Sequence, residues 1–127
     1  MAKAVEAGGA DAISLINTLT GMKVDINRKA FVLANKTGGV SGPGIHAIAV
    51  RMVYEAANAV SVPIIGMGGI ASAEDAIEML LVGASAVSVG TANFYDPAVT
   101  MKVVDGIGKY MKEQGFETVA DMVGIVR

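Results

Sequence analysis

No cysteine occurs among the 127 residues. Disulfides, Cys-ligated zinc or iron–sulfur centres and thiol chemistry are therefore excluded from within this chain. Aromatic residues are scarce at 5%, with no Trp, so the core must be aliphatic, drawn from Ala, Val, Ile, Leu and eight Met. Three Pro leave no room for a Pro-rich linker. Runs of one charge sign are missing too: ten Lys and Arg oppose twelve Asp and Glu, for a net charge of −2. Such a balance gives nucleic acid no electrostatic footprint. Charged residues make up 17% and hydrophobic ones 53%, which argues against disorder. Glycine, by contrast, is abundant at sixteen, suggesting tight turns or loops that approach a ligand closely. The length fits one modest domain with a real core.

Two uncharged stretches, residues 56–73 and 79–95, bear on membrane insertion, and the first reaches the roughly 18 residues a spanning helix needs. Pro63, Gly66, Gly68 and Gly69 interrupt the first, and Gly83 and Gly90 the second. Each reads better as a helix end, a turn, a buried strand and another turn. No basic segment followed by an apolar one opens the chain. The expectation is a soluble, cytoplasmic protein without a membrane or nucleic-acid partner.

Along the chain, residues 2–7 are strong helix formers that stop at Gly8-Gly9. Residues 11–17 read as a buried strand. Residues 18–43 are irregular, with short extended pieces at 24–26 and 30–33, and a loop of this length is expected to be functional or a small hairpin excursion. A helix is predicted from about 44 to 60, with Ile45, Ile48, Ala49, Met52, Val53, Ala56 and Ala57 at three- and four-residue spacing. Strands follow at 62–66 and 86–89. Ser72 is placed to cap a helix running to residue 82, and a last helix runs from Pro97 to about Gln114 before a short final segment. The segments Gly9–Leu15 and Gly83–Val89 echo each other as helix stop, small-residue turn and apolar strand. Strands apolar on both faces, alternating with helices, indicate parallel βα units and an α/β fold. Three core strands fall short of the eight in a (β/α)8 barrel. Residues 1–127 are thus expected to form a single partial domain that completes itself against other polypeptide or another copy.

Three glycine-rich turns are candidate ligand loops: residues 38–44, 66–70 and 90–93. The C-terminal ends of parallel strands carry the ligand sites of α/β folds. Gly68-Gly69 and Gly90-Thr91, on successive strands before helices, would form a paired phosphate cradle, with the dipole of the Ser72-capped helix behind it. Ordinary turn chemistry is the competing reading. Residues 66–71 also fit G-x-G-x-x-A, but the place where a dinucleotide site needs an acidic residue holds Ser88, Val89, Gly90 and Thr91. Asn17 and Thr18 either begin a turn or read a planar polar ligand. His46, the only histidine, is expected at the surface or a helix end, and Lys36 in solvent; no metal site and no general base is recognisable.

A family resemblance now enters. Ser14-Leu15-Ile16-Asn17-Thr18, Ala34-Asn35-Lys36-Thr37-Gly38-Gly39-Val40-Ser41-Gly42-Pro43, Ala49-Val50-Arg51-Met52-Val53-Tyr54, residues 63–70 and Val89-Gly90-Thr91-Ala92-Asn93-Phe94 occur in order. Together they resemble the C-terminal part of dihydroorotate dehydrogenase, most closely class 1B, the NAD-linked catalytic subunit. The related domain of dihydropyrimidine dehydrogenase is the near alternative. The resemblance implies a flavin mononucleotide (β/α)8 barrel that oxidises dihydroorotate to orotate in pyrimidine biosynthesis. It further implies Ile16 and Gly42 against the flavin, Gly68, Gly69, Gly90 and Thr91 on its phosphate, and Asn17 and Thr18 on the pyrimidine. The family's base, a cysteine, falls outside this chain, so catalysis by the chain alone is not expected. Implied partners are the remaining N-terminal half of the barrel, an iron–sulfur/FAD electron-transfer subunit and a second copy in a homo-oligomer. A non-catalytic half-barrel that self-associates and binds phosphate is the contrasting hypothesis. Under the phosphate reading, a β-branched residue at Gly69 is expected to weaken flavin retention far more than apo stability.

Overall fold

The computed structural model describes residues 1–126. A parallel three-stranded sheet forms its centre, made of β1 (Ile13–Leu15), β6 (Ile64–Met67) and β7 (Ala86–Ser88), with β6 in the middle. Ile13 pairs with Ile64 and Leu15 with Gly66, while Gly66 pairs with Val87 and Met67 with Ser88. The C-terminal ends of all three strands therefore lie at one end of the sheet. Helix α1 (Ala2–Ala7) precedes β1, α2 (His46–Ala57) precedes β6, α3 (Ala73–Leu81) links β6 to β7, and α4 (Val99–Gln114) follows. These are parallel βα units, as the alternation predicted. No helix among the described residues is long and apolar enough to cross a membrane.

The core forms where the apolar stripes of the helices meet β6. Ala49, Val53, Ala56 and Ala57 line the buried face of α2, a run set by helical periodicity. Ile64 is 2% exposed, and with Met79 of α3 and Val99 and Val103 of α4 it belongs to one cluster. A second cluster joins Ile77, Leu80 and Met122 to Tyr110 and Phe116, whose rings stack 6.2 Å apart. Helix α3 starts where the sequence placed it: Ser72 Oγ accepts from Asp75 N, and Asp75 Oδ2 accepts from Ser72 N, a reciprocal capping box.

Two expectations need correcting. Burial on both faces holds for β6 alone, since Ser14 of β1 and Ala86 and Ser88 of β7 are exposed. The cause is position: β1 and β7 are the sheet's two edges, each with one flank lacking a strand neighbour. The segment after β1 is also more ordered than an irregular loop. Leu19–Met22 (β2) pairs antiparallel with Thr37–Val40 (β5), enclosing a smaller hairpin of Val24–Asp25 (β3) and Ala30–Phe31 (β4). Gly38 and Gly39, assigned to a turn, thus lie in a strand, where Gly39 passes directly against Thr18. Only from Ser41 does the expected turn begin.

Candidate active site

A cleft of about 170 Å³ opens at the C-terminal ends of the central strands. Its wall includes Ile16 and Thr18 after β1, Gly42 after β5, Gly68 and Gly69 after β6, and Gly90 and Thr91 after β7. Four segments far apart in sequence thus bring together seven of the eight candidate residues. Asn17 is the exception. It lines a separate groove of about 850 Å³ between α1, β1 and α2, and its Oδ1 accepts from Thr18 N at 2.8 Å.

Each turn is held by contacts of its own. After β7, Asn93 Nδ2 donates to the carbonyls of Val89 at 2.8 Å and Gly90 at 3.1 Å, stapling residues 89–93 into a tight loop. Thr91 Oγ1 donates to Ser41 Oγ at 2.8 Å, joining this loop to the one after β5. After β6, Gly69 has φ +73°, in the left-handed region that favours glycine. A Cβ there would lie 2.7 Å from His46 Cβ, 2.8 Å from His46 N and 2.9 Å from the Gly42 carbonyl oxygen. Two of those neighbours are backbone atoms that cannot swing aside. The expectation that a larger residue at Gly69 would act far more on flavin retention than on apo stability meets a large structural cost here: the substitution strains the turn before any ligand arrives.

Among the described residues, the backbone N–H groups of Gly69, Gly90 and Thr91 have no protein acceptor. Unclaimed donors on neighbouring glycine turns suit an oxyanion, and apolar Ile16, Ile45, Met67 and Ile70 beside them suit the body of an organic ligand. The α3 terminus contributes less than expected. The N–H groups of the N-cap Ser72 and of Ala71 ahead of it already donate to Asp75 Oδ2 at 2.9 Å, and that carboxylate in the first turn opposes a second anion.

Reading the sequence alone missed His46 as part of this region. It opens α2, but its side chain is only 12% exposed. Nδ1 lies 3.0 Å from the Gly68 carbonyl oxygen and Nε2 lies 3.1 Å from Glu78 Oε2. Nothing adjacent to His46 in sequence signalled partners more than twenty residues away. Ser41 and Asn93 were also unassigned, though both stand inside the quoted Ser-Gly-Pro and Gly-Thr-Ala-Asn motifs. Lys36 takes no part in the cleft and instead sits 5.7 Å from the centroid of the Phe31 ring.

Comparison with known proteins agrees with this layout. The dihydroorotate dehydrogenase family model matches residues 1–111. The chain belongs to the dihydroorotate dehydrogenase family. It is 61% identical over its whole length to the dihydroorotate dehydrogenase B (NAD(+)) catalytic subunit of Lachnoclostridium phytofermentans, covering 42% of that protein. The catalytic subunit from Halalkalibacterium halodurans is 56% identical over 98% of this chain, which covers 41% of that relative. Among solved structures, the dihydroorotate dehydrogenase of Eimeria tenella in complex with ferulenol superimposes with a TM-score of 0.80 at 27% identity, over 98% of this chain and 33% of that one. The chain thus spans about two fifths of the curated relatives it matches, and its βα units are those of the family's (β/α)8 barrel.

Proposed function

We propose that this chain supplies the phosphate end of a flavin mononucleotide site, and one side of a pyrimidine site, in a class B dihydroorotate dehydrogenase. In this reading Gly68, Gly69, Gly90 and Thr91 hold the phosphate, Ile16 and Gly42 border the flavin, and Thr18 meets the pyrimidine from the cleft, with Asn17 reaching it only from the adjoining groove that shares Ile16. The observation that carries it is the convergence of two glycine turns, with unclaimed N–H donors, at the ends of adjacent parallel strands. The residues fit the group. The Gly69 turn has no room for a Cβ, and the apolar wall beside it suits a ring system. At about 170 Å³ the cleft is smaller than the roughly 300–1,000 Å³ of whole ligand sites, which matches a chain contributing one part of the pocket.

When bound, the flavin would take up the two electrons released as dihydroorotate becomes orotate. The chain's own residues position: the turns orient the phosphate, and Ile16 and Ile45 exclude water beside it. The cleft wall offers the hydroxyls of Thr18, Ser41, Ser88 and Thr91 but no carboxylate, thiol or imidazole. The family resemblance puts the general base, typically worth about 10²–10⁴-fold, on polypeptide beyond these residues, and this lining is consistent with that. The relatives are named catalytic subunits, which supports a partner subunit; the family resemblance makes that partner an iron–sulfur/FAD electron-transfer protein, and a homo-oligomer in the cytoplasm completes the proposal. Titration of the chain with flavin mononucleotide and with riboflavin, followed by flavin fluorescence, tests the site. Tighter binding of the phosphorylated flavin is expected, with no orotate formed above the free-flavin rate. Equal affinity for the two flavins would refute the phosphate cradle.

A further inference from the structure

We infer that His46 is a positioning residue that locks the orientation of the Gly68–Gly69 peptide, and so aims the Gly69 N–H at the bound phosphate. The inference rests on the phosphate reading given above. The Gly68 carbonyl and the Gly69 N–H belong to one planar peptide unit and point in opposite directions. Whatever fixes the carbonyl fixes the N–H. A peptide between two glycines, here at φ +130° and +73°, has the least steric resistance to flipping over. An outside grip is needed to hold it.

His46 is that grip. A carbonyl oxygen only accepts, so Nδ1 at 3.0 Å is the donor to Gly68. The ring is itself held at the other end, with Nε2 3.1 Å from Glu78 Oε2 and 3.7 Å from Asp75 Oδ1. Asp75 is no loose partner, because its Oδ2 accepts from Ala71 N and Ser72 N in the cap of α3. A continuous set of contacts thus runs from the α3 cap through the imidazole to the Gly68 carbonyl. The His46 backbone adds to it by sitting where a Gly69 Cβ would fall. The first residue of α2 therefore closes over the turn that leads into α3.

The two ring nitrogens can be tested separately. His46→Asn keeps a donor near the Nδ1 position, His46→Gln keeps one near Nε2, and His46→Ala keeps neither. Affinity for flavin mononucleotide and for riboflavin is measured on each variant of the full chain, with the Gly69 amide followed by NMR in the apo form. The ratio of the two affinities isolates the phosphate, so general loosening of the fold, which weakens both flavins together, does not move it. The ratio is expected to fall about tenfold in His46→Ala and His46→Gln and to be largely restored in His46→Asn. The Gly69 amide resonance should shift or broaden in the first two variants only. If the wild-type chain does not prefer the phosphorylated flavin, the site reading fails and the inference with it. If the wild type shows the preference and His46→Ala or His46→Gln keeps it, the cradle stands and the role of His46 is overturned.

Discussion

Gly69→Ala should be among the most damaging single-methyl additions in this chain, and its cost can be divided into two parts. Holding a non-glycine residue in the left-handed region costs about 1–2 kcal/mol. The added Cβ must also displace His46 N at 2.8 Å and the Gly42 carbonyl at 2.9 Å, both backbone atoms. Overpacking of this kind costs a further ~1–3 kcal/mol. The expected loss is therefore ~2–5 kcal/mol, a large share of the roughly 5–15 kcal/mol that holds a domain together. Gly115 provides the control. Its φ of +77° is nearly the same, yet a Cβ there meets nothing within 4 Å. Gly115→Ala should show the conformational cost alone. Urea unfolding of both variants, with the denaturant slope unchanged, gives the difference directly. A Gly69→Ala chain no less stable than Gly115→Ala would show that the turn can open without cost, and the tight contact of α2 with the turn would be wrong.

Three further outcomes are expected. Gly106 and Gly108 both lie inside α4, but a Cβ on Gly106 would collide with Ala73 while one on Gly108 would meet open space. Thermal melts should therefore show Gly108→Ala stabilising by up to about 1 kcal/mol through helix propensity and Gly106→Ala destabilising, with Ala73→Gly restoring the latter; equal effects would refute the close α3–α4 approach. Hydrogen bonds from Lys102 Nζ at 2.6 Å and from the Ala98 N–H at 3.0 Å hold the Asp96 carboxyl below its usual 3.8. Its contribution to stability is thus complete above that usual value and lost as pH falls through the lowered one, so Asp96→Asn should flatten part of the acid decline expected below about pH 4 and leave the range above it unchanged; an unaltered acid limb would remove the pair from the account. Finally, Met22, Val24, Ile26, Phe31, Val32 and Leu33 are all exposed around the β3–β4 hairpin. At high concentration the chain should self-associate or bind a hydrophobic dye, less so in Ile26→Lys, and sedimentation as a monodisperse monomer without dye binding would contradict this.

Features that depend on near neighbours in the chain were readable from the sequence. The capping box at Ser72 needs only Asp75, three residues on, so both members of the contact are visible in one line of sequence. The three parallel strands were readable because apolar runs bounded by glycine at helix ends carry a period of their own. The glycine turns were identifiable as candidates, and motif order tied them to a family. Tertiary structure alone decided the rest. Thr37–Val40 carries two glycines and looked like a turn, yet it is a strand because Leu19–Met22 lies alongside it. Strand formation follows the partner more than the residue's own preference. Sequence position put Asn17 and Thr18 together, while the fold turned them towards different cavities. The role of His46 was invisible for the same reason. Its meaning comes from Gly68, Asp75 and Glu78, which only the packing of α2 against the β6–α3 turn brings within reach.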